Sequence, residues 1–302
     1  MVIQLPIPVR NMLAKREHRM HHYLWHAVRN GWLRFDPTTR NDLKNKGWEP
    51  PRPSVDSNGQ AIHTNSSGED FLFMHRQMII HVNDMLSQIQ DPSYPIVKGW
   101  DYIPEPDSVD YPVPVWNNAP PVISEAKTDD FYLTYIKPRE IYYTDLTKLA
   151  GLTLGELGSR IEYSIHNKMH LRWAAKQLEF RPDVEPTSVS TIDIKWDDPS
   201  YDYLADPYSS HVNPIFWMLH GWIDDRIEDW KRAHNISGPI PWSVEWDRNM
   251  MPHHNIIHAI DSMASIEETS VEESIANMLE VAKVIQKTNI FPSFEISDDD
   301  LP

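Results

Sequence analysis

Histidines spaced four residues apart are the feature of this sequence with the clearest chemical meaning. Two side chains four apart in an α-helix project from adjacent turns of one face, so both imidazoles can reach a single metal ion. The spacing occurs three times in predicted helices, and two of these pairs are each followed by a single histidine in a later helical segment. The residues are His22 and His26 with His75, and His166 and His170 with His220. This spacing predicts two three-histidine metal sites.

The ligand type narrows the choice of metal. The chain has no cysteine, which excludes disulfides and thiolate metal sites. Neutral imidazole suits zinc, copper, iron and nickel, and the absence of a carboxylate from each triplet counts against non-haem iron. A carboxylate-bridged di-iron bundle would need a glutamate three residues before a histidine, and the chain has none. Copper and zinc remain.

Four segments show helical periodicity, and each carries histidine on its apolar face. The predicted helices span about 9–32, 69–90, 153–177 and 213–233. Thr153 and Glu156 form a capping-box signature at the start of the third. The fourth begins with Asn213 as N-cap and Pro214 as its first helical residue. These elements predict a mainly α fold, in which a four-helix bundle holds a dinuclear metal centre.

The segments outside these four helices are predicted to be loops, a short β-element, a last helix and a tail. The segment 91–138 holds many of the 25 prolines and is expected to run over the surface as loop and short extended pieces. Alternating apolar and polar residues over 187–196 indicate a short strand or hairpin, the small amount of β-structure expected. A last helix is predicted over 271–287, before an acidic tail, 292–302, expected to be disordered. A single domain, 1–302, is the expected organisation.

Charge and hydropathy exclude several function classes. The formal net charge of −16 would repel a phosphate backbone, so no nucleic-acid partner is expected. The N-terminus has no basic start followed by an apolar run, and no stretch approaches 18 uninterrupted apolar residues. We therefore expect a soluble cytoplasmic protein that has no membrane partner.

The residues around the histidines resemble the type-3 copper proteins. FLFMHRQM at 71–78 looks like the third ligand helix of the first copper site in arthropod haemocyanins and prophenoloxidases. HHYLWH at 21–26 is similar to the first-site helix of the same branch. HNKMH at 166–170 and NPIFWMLHGWID at 213–224 resemble the second site shared by tyrosinases, catechol oxidases and haemocyanins. Asn213 stands where the family usually has aspartate, and arthropod haemocyanins are more than twice as long.

The resemblance implies two copper ions, with dioxygen as co-substrate. The first copper would be bound by His22, His26 and His75, and the second by His166, His170 and His220. The implied activity is that of a tyrosinase-like monooxygenase or phenol oxidase, which hydroxylates a monophenol or oxidises a catechol or o-aminophenol. Such a small phenolic molecule is the expected partner, and a copper-loading protein is a further one.

The resemblance also points to residues that assist the chemistry. Asn167 matches the position that helps to orient a water molecule for deprotonation of the phenol. Glu156 and Glu162 are the two candidates for the glutamate that would act with it, and Glu156 is weakly favoured. Arg76 and Asp224 follow ligand positions on neighbouring helices, so they are candidates for an ion pair behind the copper ligands.

Several alternatives stay open at this level. His18, His22 and His26 form one stripe, so His22 has two possible partners, of which His26 is favoured. The remaining candidates are expected to lie at the rim or surface, namely His63, His81, His253, His254 and His258. A reversible haemocyanin-like dioxygen carrier is the alternative function. A zinc or structural protein without a redox role is the third hypothesis.

Overall fold

The computed structural model describes residues 4–181, 193–243, 267–290, 292 and 294–296, and these are mainly helical, as predicted. The α-helices are α1 (Ile7–Leu13), α2 (Arg16–Gly31), α3 (Pro37–Asn45), α4 (Ser67–Ile89), α5 (Pro121–Ala126), α6 (Asp129–Phe131), α7 (Lys137–Thr144), α8 (Leu146–Leu149), α9 (Leu154–Ile161), α10 (Asn167–Arg172), α11 (Pro214–Ala233) and α12 (Glu267–Gln286). π-Helical turns at Tyr132–Ile136 and Glu162–His166 join α6 to α7 and α9 to α10. Short 3₁₀ helices lie at Ile194–Asp197 and Ser210–Val212. Among the described helices, none has both the length and the apolar character needed to cross a bilayer.

The segment predicted as one helix over 9–32 is two helices, α1 and α2. The chain turns between them, and Lys15 has extended backbone angles of φ −58° and ψ 141°. The buried Arg19 guanidinium holds this corner, donating to the carbonyl oxygens of Ala14 at 2.8 Å and Tyr201 at 3.0 Å. Because Tyr201 is 182 residues further along the chain, the local hydrophobic period does not reveal the break.

Close backbone contact joins α4 to α9. A Cβ atom on Gly68 would lie 2.0 Å from the backbone nitrogen of Ser159, and one on Gly158 would lie 2.2 Å from the Gly68 carbonyl oxygen. Only glycine permits this approach, because any side chain would overlap the facing backbone. The contact brings the helix that carries His75 against the helix that leads to His166.

The predicted third helix, 153–177, starts as expected but is shorter and irregular. The capping box is present, with the Thr153 hydroxyl accepting from the Glu156 amide at 3.2 Å and the Glu156 carboxylate accepting from the Thr153 amide at 2.8 Å. A π-helical turn, Glu162–His166, interrupts the α-helical hydrogen bonds, and α10 ends at Arg172. π-Turns inserted in α-helices are frequent at functional sites.

The fourth predicted helix is confirmed, and it is braced by the segment 91–138. The Asn213 side chain accepts from the Ile215 amide at 3.0 Å, which caps α11. A Cβ atom on Gly221 of α11 would lie 2.4 Å from the backbone nitrogen of Gly99, so the segment crosses α11 in backbone contact. The prediction of loop alone was wrong for part of the segment, because α5, α6 and the first π-turn lie within it.

The remaining predictions are met in part. The final helix, α12, is confirmed over Glu267–Gln286 and packs against α2. The predicted strand at 187–196 lies mostly outside the described residues, and its described end belongs to a 3₁₀ helix. Val55 and Ala61 form an isolated antiparallel bridge, the β-structure of the described residues. Within the segment predicted as a tail, Phe294 is buried and its ring packs on His170; residues 297–302 lie outside the described part.

Candidate metal centre

The structure brings the six predicted ligands together in one buried cluster. Two lie on α2, one on α4, one at the end of the second π-turn, one on α10 and one on α11. All six are at most 4% exposed: His22, His26, His75, His166, His170 and His220. A buried polar side chain is costly unless its nitrogens have partners, so each ring needs an explanation.

Two of the rings are fixed by their own helices. The Nδ1–H of His75 donates to the Phe71 carbonyl oxygen at 2.9 Å, and the Nδ1–H of His220 donates to the Phe216 carbonyl oxygen at 2.8 Å. A carbonyl oxygen can only accept, so each imidazole carries its proton on Nδ1. The lone pair of each ring is therefore on Nε2, which is directed into the cluster.

Two other rings are fixed by a loop far away in the sequence. The Nδ1–H of His22 donates to the Pro207 carbonyl oxygen at 2.6 Å, and that of His170 donates to the Leu204 carbonyl oxygen at 2.7 Å. A metal-bound histidine almost always donates its other ring N–H in this way, which fixes both the tautomer and the ring orientation. The segment 204–207 is therefore part of the site, although no sequence motif marked it.

The segment 204–207 is itself held by a buried ion pair. The Arg181 guanidinium donates to both carboxylate oxygens of Asp206, at 2.8 Å each. Burial opposes ionisation of this carboxyl, but Arg181 outweighs it and lowers the pKa of Asp206 below its ordinary value. The ion pair thereby fixes the position of the loop whose carbonyl groups orient His22 and His170.

The inward nitrogens of the cluster have no hydrogen-bond partner within the described residues. This holds for Nε2 of His22, His26, His75, His170 and His220. Leaving a buried acceptor unpaired costs about 1–3 kcal/mol each. Five such atoms facing one another are the pattern expected of a metal-binding site, in which the ions provide the missing partners.

The imidazoles are neutral in the folded protein. Burial lowers the pKa of His22 to about 4 and that of His166 to about 3. It also lowers the pKa values of His26, His170 and their neighbours in the cluster well below the ordinary value of 6.5. Because only the neutral ring has a free lone pair, no proton competes with a metal ion at neutral pH.

The ring positions define two overlapping groups. In the first, the ring centroids of His22 and His26 are 4.8 Å apart, and that of His75 is 5.8 Å and 5.6 Å from them. Ligand nitrogens of these three lie within 4.8 Å of one another. The first predicted triplet is thus assembled as expected from the sequence.

The second group of histidines differs from the predicted triplet. The ring centroid of His166 lies 4.5 Å from that of His170 and 5.0 Å from that of His220. However, the second set of nitrogens within 4.8 Å of one another is that of His75, His166 and His220, not the predicted triplet with His170. His75 and His220 stack with centroids 4.4 Å apart, so His75 joins the two groups.

His18 is not a member of the cluster. Its ring stacks on that of His81, with centroids 5.7 Å apart and 24° between the planes. The partner of His22 on α2 is His26, as favoured from the sequence. His63 bonds to Ser159, and His81 is half-buried. His253, His254 and His258 lie outside the described residues.

The two candidate glutamates have other partners. The Glu162 carboxylate accepts from the Arg29 guanidinium at 2.5 Å and 2.9 Å, inside the protein. Burial raises the pKa of Glu162, and Arg29 opposes that effect. Glu156 is held in the capping box with Thr153, about 15 Å along the helix axis from His166. The structure does not bring Glu156 to the site.

Asn167 does lie in the site. Its amide oxygen accepts from the Nδ1–H of His166 at 3.0 Å, and its amide nitrogen donates to the Ile296 carbonyl oxygen at 2.7 Å. The side chain therefore orients His166 in the way that carbonyl groups orient the other histidines.

The predicted ion pair behind the site is confirmed. The Arg76 guanidinium donates to the Asp224 carboxylate at 2.6 Å and 3.0 Å, and also to Glu228 at 3.1 Å. It links α4 to α11 one residue beyond His75. These side chains are half-buried, so the pair sets helix position more than it contributes to stability.

Phenylalanines that sequence reasoning missed complete the site. The ring of Phe216 stacks on His220, with centroids 3.6 Å apart, and its centroid is 5.5 Å from that of His22. Phe294 stacks on His170, with centroids 4.1 Å apart and 7° between the planes. Phe216 could have been noticed because it lies four residues before His220, whereas nothing in the sequence marked Phe294.

A cavity of about 660 Å³ lies beside the second group of histidines. Phe294, which lines it, separates it from His170. Its other lining residues include Tyr23, Phe180, Tyr203, Asp206 and Glu295. The cavity is large enough for a single aromatic ring with substituents.

The fold and the site together define a mainly α protein with a buried six-histidine cluster. No family model matches the chain, and no curated protein is detectably similar to it in sequence.

Proposed function

We propose that this protein is a dioxygen-dependent copper oxidoreductase that acts on phenolic substrates. In this proposal α2, α4, α9–α10 and α11 form a four-helix bundle around two copper ions. His22, His26 and His75 hold one ion, and the second is held by His166, His170 and His220.

The observation that carries the proposal is the orientation of the imidazoles. In His22, His75, His166, His170 and His220, Nδ1 is bonded to a backbone carbonyl or amide oxygen. Five of the six Nε2 atoms are buried and find no partner among the described residues. Histidines that serve only to fill a core have no need of this arrangement, which leaves five hydrogen-bonding atoms unsatisfied.

The donor set fits copper. It consists of imidazole nitrogens alone, and no carboxylate belongs to either group within the described residues. Such a set suits copper or zinc and disfavours iron, magnesium and calcium. Two adjoining groups that share His75 favour a pair of ions acting together. Copper is preferred over zinc because of the motif resemblance around the ligands.

When bound, the copper pair would supply the redox chemistry that activates dioxygen. Oxidation of two catechols to o-quinones would remove four electrons and four protons, which reduce one dioxygen to two waters. Hydroxylation of a monophenol would place one oxygen atom on the ring and release the other as water, with the o-quinone as product.

The chain's own residues provide positioning and exclusion of water. Carbonyl groups of the segment 204–207 hold the rings of His22 and His170, and Asn167 holds His166. Phe71 and Phe216 pack against the rings and keep the cluster dry. The cavity beside Phe294 is the place from which a phenol would approach the second group.

A reversible dioxygen carrier is the second candidate, and one observation favours it. Phe294 stacks on His170 and lies between the cavity and the histidines. A phenol must displace this ring before it can reach the second group, whereas dioxygen is much smaller. If Phe294 stays in place, the site would bind dioxygen without oxidising phenols.

The test is copper loading followed by exposure to oxygen. Protein loaded anaerobically with Cu(I) is expected to bind two equivalents and to develop a near-ultraviolet absorption band when oxygen is admitted. A panel of monophenols, catechols and o-aminophenols should discharge this band with formation of product; a band that persists would establish the carrier. Absence of both copper binding and the band would overturn the proposal.

Matched variants tie the result to the cluster. His75→Ala should abolish the band, because it removes one of the three ligands of the first ion and a ring that also adjoins His166 and His220. His234→Ala should retain it, because His234 caps the C-terminus of α11, with its ring against Trp230 and outside the cluster.

A further inference from the structure

We propose that His18 and His81 form an outer Cu(I) site from which the ion passes, by way of His211, to His22. This inference rests on the proposed copper function. It assigns a role to three histidines that the dinuclear centre does not use.

The outer site is a pair of histidines on two neighbouring helices. His18 on α2 stacks against His81 on α4, with ring centroids 5.7 Å apart and 24° between the planes. Both residues are half-buried, whereas the six clustered histidines are at most 4% exposed. His18 also lies one helical turn before His22, at the outer end of the α2 stripe.

His211 adjoins the cluster at His22. It is fully buried in the 3₁₀ helix Ser210–Val212, and its ring centroid is 4.9 Å from that of His22. His22 thus has His211 as a neighbouring ring and His18 one helical turn away on α2.

The hydrogen bonding of His211 resembles that of the clustered rings with the two nitrogens exchanged. Its Nε2–H donates to the Leu13 carbonyl oxygen at 3.1 Å. Its lone pair is therefore on Nδ1, which is buried and has no hydrogen-bond partner in the part of the chain that the structure describes. A buried, oriented and unpartnered imidazole nitrogen next to His22 is the feature of a transient ligand.

The number of donors explains the direction of transfer. The outer pair supplies two imidazoles, whereas each inner group supplies three, so an ion gains ligands as it moves inward. Copper is suited to imidazole ligands, and the chain has no cysteine thiolate to compete for it. The net charge of −16 attracts cations to the protein surface.

The first test measures the rate of copper uptake. Apo-protein is mixed in a stopped-flow instrument with a coloured Cu(I) chelate, and loss of colour gives both the rate and the final stoichiometry. His18→Phe, His81→Phe and His211→Phe should slow uptake at least about tenfold, the scale of loss expected when a metal-site contact is removed. The final occupancy should remain at two ions.

His234→Phe is the matched control, since it replaces a half-buried histidine that also contacts a ring but lies outside the path. Its uptake rate should equal that of the wild type. Thermal unfolding of each apo-variant shows whether a slower rate comes from damaged folding instead. If the three variants fold and load copper at the wild-type rate, the proposed transfer path is wrong. The proposed dinuclear centre would not be affected by that result.

The second test detects the outer site directly. Protein whose centre is already filled with two Cu(I) is titrated with Ag(I), a diamagnetic ion of the same charge, while the ¹⁵N resonances of the histidine rings are followed. A further, weaker equivalent should shift the His18 and His81 signals, and His81→Phe should abolish it. No further binding would overturn the outer site. Failure of the wild type to bind any Cu(I) would instead overturn the proposed function and this inference together.

Discussion

The Arg29 guanidinium and the Glu162 carboxylate form an ion pair in which both side chains are at most 2% exposed. Arg29 lies on α2, one turn beyond His26, and Glu162 opens the π-turn that ends at His166. The Arg29 guanidinium also donates to the Ser67 carbonyl oxygen, at 2.6 Å, at the start of α4. One side chain thus links three of the four elements that carry the histidines.

Breaking this pair should destabilise the protein strongly. Arg29→Met leaves a buried carboxylate without its partner, and urea unfolding of the metal-free protein should show a loss of about 3–5 kcal/mol. The double variant Arg29→Met/Glu162→Leu should recover much of that loss, because no unpaired charge remains. Lys283→Met, which breaks the exposed pair with Glu280, should change the free energy of unfolding by less than about 1 kcal/mol. Equal effects of the two single variants would contradict this account.

A side chain at Gly68 should separate α4 from α9. The Cβ atom of Gly68→Ala would lie 2.0 Å from the backbone nitrogen of Ser159, and overpacking of this kind costs about 1–3 kcal/mol. Because the displacement moves His75 relative to His166, copper should bind more weakly as well. Gly151→Ala is the control, since its nearest contact would be an ordinary 3.5 Å. Equilibrium unfolding and a copper titration measure both effects, and wild-type values for Gly68→Ala would refute the prediction.

Removing the ring of Phe294 should open the second histidine group. Phe294→Ala is expected to increase the rate of phenol oxidation several-fold and to lower the KM for bulky phenols, because the ring that covers His170 is gone. Phe180→Ala, at the wall of the same cavity but 42% exposed, should have a much smaller effect. Steady-state oxygen uptake with phenols of increasing size measures the difference. Unchanged kinetics would show that Phe294 does not control access.

Glu17 should make stability depend on pH near neutrality. Its side chain is buried, its Oε1 has no hydrogen-bond partner among the residues described, and burial raises the pKa of its carboxyl to about 7 from 4.5. The folded state therefore binds the proton more tightly than the unfolded state. Stability from this group is fully present below about pH 4.5 and is lost as the pH rises through about 7.

Glu17→Gln removes this dependence, because the amide cannot ionise. At pH 8 the variant should be more stable than the wild type, by an amount on the order of 3 kcal/mol, and at pH 4 the two should be nearly equal. Glu125→Gln, at an exposed position, should show no such difference. Urea unfolding at several pH values provides the comparison, and a gap that widens toward acid pH would reverse the sign of the argument.

Local sequence chemistry determined the helices and the spacing of the histidines. Asn213 and Pro214 start α11 because an N-cap side chain and a proline act only on the residues that follow them. The same holds for Thr153 and Glu156, whose capping box forms as predicted. His22 with His26 needed only the helical period to place two rings on one face.

Only the tertiary structure decided how those rings are used. His18 and His26 are each four residues from His22. The packing of α2 against α4 places His18 beside His81 and His26 in the cluster. The carbonyl group that orients His22 belongs to Pro207, 185 residues away. Phe294, which packs on His170, lies far from it in the sequence. Helical periods and caps depend on neighbours within four residues, whereas these contacts depend on which distant segments pack together, and no local pattern encodes that choice.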